Sequence, residues 1–279
     1  MDSNLHALPR LLDRLGLDEP PLGIHYSDVK PEDSLSPQPG DLPTREKELE
    51  NRIDWQATFA NFSCIIGHVW RARNKRQPAV FDAEHFGCPG AAFWLGFMKP
   101  QTEAIIHYVS SGIEGQMEGE FYCESPDTMR DIFKEIDPPQ ASRRYCVVQP
   151  LDRYKDEEHP EVVAFFARPE ALTGLHQLAA FVTNDPLAVV SPWGAACTGL
   201  VTWPFKLLAQ GEHKAVLGGW DPSARKFFKT DELSFSVPLR MFLDMLERFE
   251  DSFLMTKTWD TVRKKIERSR RTWEKPARH

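Results

Sequence analysis

AVFDAEHFGCPGAAFW, residues 79–94, and AVVSPWGAACTGLVTW, residues 188–203, read as two copies of one element. Each sets Ala-Val the same interval ahead of a cysteine, and each continues Cys-x-Gly-x-x-x-Trp: Cys88, Gly90 and Trp94, against Cys197, Gly199 and Trp203. In both, a short apolar run enters a turn and a helix-like apolar run leaves it, the order strand, turn, helix. That order predicts an α/β or α+β fold, with mixed sheets flanked by helices. The repetition predicts two pseudo-symmetric halves, about residues 50–135 and 160–245, each presenting a cysteine at a helix N-terminus.

The pattern continues outward from the two copies. Further strands are expected at Ala104–Val109, Cys146–Gln149, Val162–Ala167, Lys214–Leu217 and Leu233–Val237, with the copies themselves giving Ala79–Phe81 and Leu187–Val190. Helices are expected at Pro89–Met98, Pro126–Ile136, Pro169–Phe181, Thr198–Leu208 and Pro238–Phe249. Four of these open with proline, whose missing N–H is unpaired in a first turn anyway. Val162–Ala167 is apolar throughout, which implies burial on both faces. On the N-terminal side, leucines at helical spacing mark residues 3–17, a short strand follows Pro20-Pro21, and four prolines make 27–43 a loop. Thr44 is placed to cap a charged helix through REKELENRIDW.

Residues 1–250 are read as one domain and 251–279 as a basic helical extension carrying Arg263, Lys264, Lys265, Arg268, Arg270, Arg271 and Lys275. The plain reading of that basic end is a solvated terminus complementing the helix dipole. Trp259 and Trp273 offer contacts to the body or to a second subunit, so a homo-oligomer is allowed. With 279 residues, 41% of them hydrophobic, the chain can bury a core without staples. A net charge of −7 argues against nucleic acid, and no apolar run is long enough to cross a bilayer. The N-terminus lacks the apolar block of a signal peptide, so a cytoplasmic protein is expected. In that compartment an odd count of five cysteines points to packing, metal binding or thiol chemistry rather than disulfides.

Cys88 and Cys197 each precede a predicted helix, where dipole and free N–H groups favour thiolate. Cys64 is a third candidate, on an amphipathic run, although the spacing of the three matches no short metal motif. Cys123 and Cys146 read as packing residues. His85 lies three residues before Cys88, near enough to tune it. No His-x-x-x-His, Cys-x-x-Cys, phosphate-binding glycine loop or serine nucleophile motif is present.

Leu-Gly-Leu-x-x-Pro-Pro-Leu-Gly-Ile (15–24), Cys64, Gly-Cys-Pro-Gly-Ala (87–91), Gln-Pro-Leu (149–151), Val-Val-Ala-Phe-Phe-Ala-x-Pro (162–169), Ala-Cys-Thr-Gly (196–199), Leu-Gly-Gly (217–219), Ala-Arg (224–225) and Asp-Glu-Leu (231–233) together resemble the uncharacterised prokaryotic DUF169 family, over about residues 5–250. The resemblance implies cysteines as a shared feature at positions 64, 88 and 197. It also implies a fourth, near Gly218-Gly219, followed by an arginine matching Arg225. Here Gly219 stands in place of that fourth cysteine, and Trp220-Asp221-Pro222 follows, with Asp221 as a substitute donor.

Three readings stay open. In the first, Cys64, Cys88 and Cys197 bind a [4Fe–4S] cluster, with one iron left for a small-molecule substrate or a redox partner. In the second, a metal-free cleft lined by Trp94, Trp193, Trp203 and Trp220 binds a small ligand, with Arg225 meeting an anion. In the third, Cys88 or Cys197 is a nucleophile with His85 as its base.

Overall fold

The structure is a computed structural model describing residues 5–100, 102–155 and 158–273. Its strands are β1 (Leu22–Ser27), β2 (Ala79–Phe81), β3 (Gly112–Ile113), β4 (Met117–Glu118), β5 (Tyr145–Pro150), β6 (Val162–Ala167), β7 (Val189–Val190), β8 (Ala215–Gly218) and β9 (Leu233–Pro238). Seven of them form one mixed sheet in the order β2-β5-β1-β6-β9-β8-β7, and β3 pairs with β4 apart from it. Within the large sheet β7–β8 is parallel and the other pairs are antiparallel.

The sheet divides the apolar interior in two. Along β6, Val162 and Ala164 join one cluster, while Val163, Phe165 and Ala167 join the other, so the continuous apolar run is buried on both faces. The first cluster packs the sheet against the helices Ile65–Lys75, Pro89–Trp94 and Pro126–Ile136 and the segment 196–201. The second packs it against Leu8–Leu15, Pro169–Thr183, Leu239–Arg248 and Trp259. Cys64, Cys88 and Cys197 all belong to the first cluster. Each fully buried phenylalanine, such as Phe81 or Phe165, contributes about 1.5–3 kcal/mol of transfer free energy.

Most expected strands and helices form within a residue or two of their predicted limits; the helix expected at Pro89–Met98 ends at Trp94, just before Gly96 at φ +74°, and three further segments differ. Ala104–Val109 is a helix, not a strand; Ala104, Ile105 and Ile106 are buried, and the segment packs on the Pro126–Ile136 helix. An apolar run that short fits either conformation, and here a helical neighbour decides. The charged run after Thr44 breaks early. Thr44 does cap it, accepting from Lys47 N at 3.4 Å, but the helix spans only Arg45–Leu49, with no buried residue, and a new helix, Trp55–Ala60, starts at the Asp54 cap. Charge composition without an apolar face does not sustain a long helix. Thr198–Leu208 forms a π-helical turn, Thr198–Thr202, before the α-helix Trp203–Ala209. Pro204 cannot donate to Leu200 O, so regular α bonding cannot run back through that turn.

The two expected halves do not appear as equal units. Residues 50–135 place one strand, β2, in the large sheet, residues 160–245 place four, and the central β1 and β5 lie outside both spans. The repeated Ala-Val segments form the opposite edges, β2 and β7, one antiparallel to its neighbour and one parallel. The copies meet instead through their helical parts, where Thr202 Oγ1 donates to Trp94 O at 2.7 Å.

The C-terminal helix spans Lys257–Trp273, and Lys275 lies outside the described residues. Trp259 docks it on the body by burial and by donating Nε1–H to Arg14 O at 3.0 Å, while Trp273 is exposed. Among the described residues no helix is long and apolar enough to cross a membrane.

Candidate functional site

Three turns carry the three cysteines. Cys64 is the N-cap of Ile65–Lys75. Cys88 is the N-cap of Pro89–Trp94, and its Sγ accepts from Ala91 N at 3.4 Å. Cys197 precedes the π-helical turn and makes no side-chain cap bond. Two close backbone approaches draw these turns together. Ser63 N donates to Gly87 O at 3.0 Å, tying the residue before Cys64 to the residue before Cys88. Gly199, just after Cys197, lies against Gly218 at the end of β8, where a Cβ on Gly199 would stand 3.1 Å from Gly218 Cα. A side chain at Gly199 would have to push Gly218 back, and from Gly218 the chain leads directly to Asp221.

The three thiols and Asp221 share one electrostatic neighbourhood. Burial, then the Cys64 charge, pushes Cys88 up to about 12, against the N–H groups of Ala91 and Gly90. Burial is also the first cause at Cys64, where the Asp221 charge adds to it and the N–H groups of Ile66 and Gly67 oppose it. Cys197 is pushed well up by burial and then by the charges of Cys88, Cys64 and Asp221. The thiolate-favouring effect expected at the helix starts is therefore present and outweighed. Removing a sulfur anion from water costs more than a few N–H groups return.

Asp221 is buried and is the hub of the loop after β8. Its Oδ2 accepts from Ala196 N at 3.1 Å, next to Cys197. Its Oδ1 accepts from Ser223 N at 2.9 Å, Ser223 Oγ at 2.8 Å and Tyr122 OH at 3.2 Å. The carboxylate thus accepts four hydrogen bonds and caps the turn Pro222–Phe227. Gly219, where the resemblance places a fourth cysteine, has φ +92°, and a Cβ there would meet the Phe228 ring at 3.2 Å and Ser234 N at 3.3 Å.

Beside Asp221 lies a group that the sequence reading missed. Glu120 Oε1 lies 3.4 Å from the Tyr122 hydroxyl, and the side chain is pushed up to about 6 by burial and then by the Asp221 charge. Tyr108 is pushed up to about 12 by burial, then by Glu120, with the Cys88 charge contributing. Glu120 N donates to Tyr108 O at 2.7 Å and Tyr122 N to Val109 O at 3.0 Å, which folds the segment after β4 back on the Ala104–Val109 helix. No motif marks these residues. Reading 104–109 as a strand also hid the helix they pair with.

The remaining candidates fall elsewhere. His85 Nδ1 is 3.0 Å from Asp82 Oδ1, closing the turn before Cys88. Arg225 donates to the carbonyls of Gly219, Glu232, Lys229 and Thr230, so its guanidinium holds backbone rather than an anion. Trp94 is buried against Phe93 and Phe133 and does not line a cleft. Trp193 and Trp220 do flank a groove of about 350 Å³, whose walls include Tyr122, Asp221 and Ser191. Trp220 Nε1 donates to Ser191 Oγ at 2.8 Å, and Trp203 Nε1 to Trp193 O at 3.0 Å. Cys146 is buried in β5, and Cys123 Sγ donates to Ser125 O at 3.3 Å.

Among the described residues no group of three or more His, Cys, Asp or Glu side chains stands ready to hold a metal ion. Cys88 feels the charge of Cys64, and Cys197 feels the charges of both.

A family model, DUF169, described as "Uncharacterised ArCR", matches residues 10–248. No curated protein and no solved structure matches the chain.

Proposed function

The chain belongs to the DUF169 family, and we propose that in it Cys64, Cys88 and Cys197 together bind a [4Fe–4S] cluster. One observation carries the reading. Three cysteines from distant segments lie on the same face of the sheet, each next to a helical start; Cys88 feels the charge of Cys64, and Cys197 feels the charges of both. Sulfur-only donors suit iron–sulfur clusters. Mutual repulsion among the thiolates is what a cationic iron core would relieve, since a coordinating thiol is deprotonated outright.

An iron without a cysteine ligand would supply Lewis-acid chemistry to a small molecule. This chain's own residues would prepare the place for it. Asp221 fixes the loop beside Cys197 and also lines the groove between Trp193 and Trp220. The reading requires a reducing compartment such as the cytoplasm, where free thiols persist. The thiol-nucleophile reading is weaker. It needs a base within hydrogen-bond reach of a depressed thiol, whereas all three thiols are raised and His85 is engaged by Asp82.

The test is iron and sulfide analysis of protein isolated without oxygen, alongside Cys64→Ser, Cys88→Ser, Cys197→Ser and Cys123→Ser. Brown protein that loses most of its iron in the first three variants and keeps it in the fourth supports the cluster. Colourless, iron-free wild-type protein after anaerobic reconstitution refutes it.

A further inference from the structure

We propose that the groove between Trp193 and Trp220 binds a methylated organic ammonium ion, held by its aromatic walls and by the negative charge of Asp221. The residues of the groove carry this by themselves, whether or not the cysteines hold a cluster.

The walls are aromatic and set in advance. Tyr122, Trp193 and Trp220 line the groove, and its volume of about 350 Å³ suits a small molecule. Trp220 Nε1 donates to Ser191 Oγ at 2.8 Å, and Ser191 Oγ donates on to Leu217 O at 3.1 Å, so this indole is tied to the end of β8. Trp203 Nε1 holds the Trp193 carbonyl at 3.0 Å. Gly194 follows at φ +156°, seated so near Thr198 that a Cβ would run into its hydroxyl. Trp193 and Trp220 nevertheless remain 42% and 54% exposed. Aromatic rings of this size contribute most when covered. Two of them, anchored and open on one groove, offer a ligand contact area with little left to order on binding.

The charge of the groove selects a cation. Among the described residues that line it, Asp221 alone is charged. Its donors are the N–H groups of Ala196 and Ser223 and the hydroxyls of Ser223 and Tyr122, all neutral, so they leave its charge in place. A second carboxylate stands behind Tyr122, whose hydroxyl is 3.2 Å from Asp221 Oδ1 and 3.4 Å from Glu120 Oε1. One hydroxyl proton cannot serve both. Among the described residues neither acid has an ion-pair partner. Arg225, four residues beyond Asp221, gives its guanidinium to backbone carbonyls. An anion at Arg225, the expectation for a tryptophan-lined cleft, thus gives way to a cation beside Asp221.

The hydrogen-bond inventory narrows the class. Both Asp221 oxygens, Ser191 Oγ and the Trp220 N–H are engaged, so the groove has few open acceptors. A primary ammonium would give up water at three N–H bonds and recover little. A tertiary or quaternary ammonium has one N–H or none, and aromatic faces are the surfaces that recognise such ions. Asp221 attracts it through space, without a direct bond.

Calorimetric titration of the metal-free full chain at fixed ionic strength tests this. The probes are tetramethylammonium, choline, methylammonium and dimethylbutanol, the uncharged carbon isostere of choline. The variants are Trp220→Ala, Trp220→Phe and Asp221→Asn, with Trp273→Ala as control at an exposed tryptophan outside the groove, and circular dichroism confirms the fold of each. Choline should bind with a Kd below about 10 mM, and dimethylbutanol about tenfold more weakly. Trp220→Ala should weaken choline about tenfold, while Trp220→Phe and Trp273→Ala keep most of the affinity. Asp221→Asn should weaken choline and leave dimethylbutanol unchanged. Equal binding of choline and dimethylbutanol, unchanged choline binding in Trp220→Ala, or no heat from either quaternary probe up to about 10 mM overturns the proposal. Methylammonium binding as tightly as tetramethylammonium overturns the preference for methylated ions. Neither protein nor probes contain iron, so failure here is read apart from failure of the cluster.

Discussion

Ser63 N donates to Gly87 O at 3.0 Å, so the residues immediately before Cys64 and Cys88 are hydrogen-bonded to each other. That bond joins segments with a whole helix and strand β2 between them, and it places two thiols of the site side by side. Gly87 makes it possible. Its φ is +82°, and a Cβ there would stand 2.6 Å from Ser63 O and 2.9 Å from Ile65 Cγ2.

Gly87→Ala is therefore expected to cost about 1–3 kcal/mol, from strain at positive φ together with the push against Ser63 O. Gly211→Ala is the matched control, since Gly211 has φ +74° and open space around it. Urea denaturation should find Gly87→Ala the less stable of the two, and iron content after reconstitution should fall only in that variant. Equal stability and equal iron in both would mean that the contact with Ser63 does not hold the site together.

Much of the scaffold was legible because side-chain period and proline position report local conformation directly. Val162–Ala167 and Pro126–Ile136 form as read, the first marked by a continuous apolar run and the second by a proline at its first position. The unread parts depend on contacts distant in sequence. Nothing in AIIHYV distinguishes a strand from a helix until the 126–136 helix is beside it. The two copies share a cysteine beside a helical start, yet similarity of segments does not dictate which strands they pair with. Glu120, Tyr108 and Tyr122 belong to no pattern, and the Ser63–Gly87 and Gly199–Gly218 contacts that gather the cysteines are tertiary.

The half-buried Cys88 thiol should react slowly in metal-free native protein. With Cys88 pushed up to about 12, its thiolate fraction at pH 8 is about a thousandfold below that of an ordinary cysteine. The same shift has a sign for stability. Unfolded protein releases this proton first as pH rises, so the native state loses stability between the ordinary thiol range and pH 12. Alkylation followed by mass spectrometry should find Cys88 unmodified when native and modified in urea. Denaturation at pH 8 and 10 should show a smaller loss in Cys88→Ser than in the metal-free wild type. Rapid native alkylation of Cys88 would contradict this.

Arg73 and Glu232 anchor the helix that Cys64 heads. The pair is bidentate, with Nη1 to Oε2 at 2.9 Å and Nη2 to Oε1 at 2.8 Å, and both side chains are buried. Arg73 also lies 4.1 Å from the centre of the Phe166 ring. Glu232→Gln leaves Arg73 the exposed Glu19, at 2.7 Å, as its charged partner, so the change should cost about 2 kcal/mol. Combining Arg73→Met with Glu232→Gln should cost less than the sum of the two single changes, a coupling that a double-mutant cycle in urea measures. Additive costs would assign the pair no role.

Asp221→Asn separates the two causes that raise Glu120. Asparagine keeps the length and one acceptor oxygen but removes the charge, while burial stays. Since burial is the larger cause, Glu120 should titrate below about 6 and still above the ordinary carboxylate value of 4.5. The stability consequence follows in sign. Glu120 favours the native state at low pH, where it is protonated in both states, and that contribution is lost as pH rises through its native midpoint. Between pH 4.5 and 6.5 the wild type should therefore lose more stability relative to Glu120→Gln than Asp221→Asn loses relative to the Asp221→Asn/Glu120→Gln double variant. Matched urea titrations of the four proteins measure this difference. An unchanged Glu120 contribution in the Asp221→Asn background would mean that the two carboxylates do not sense each other.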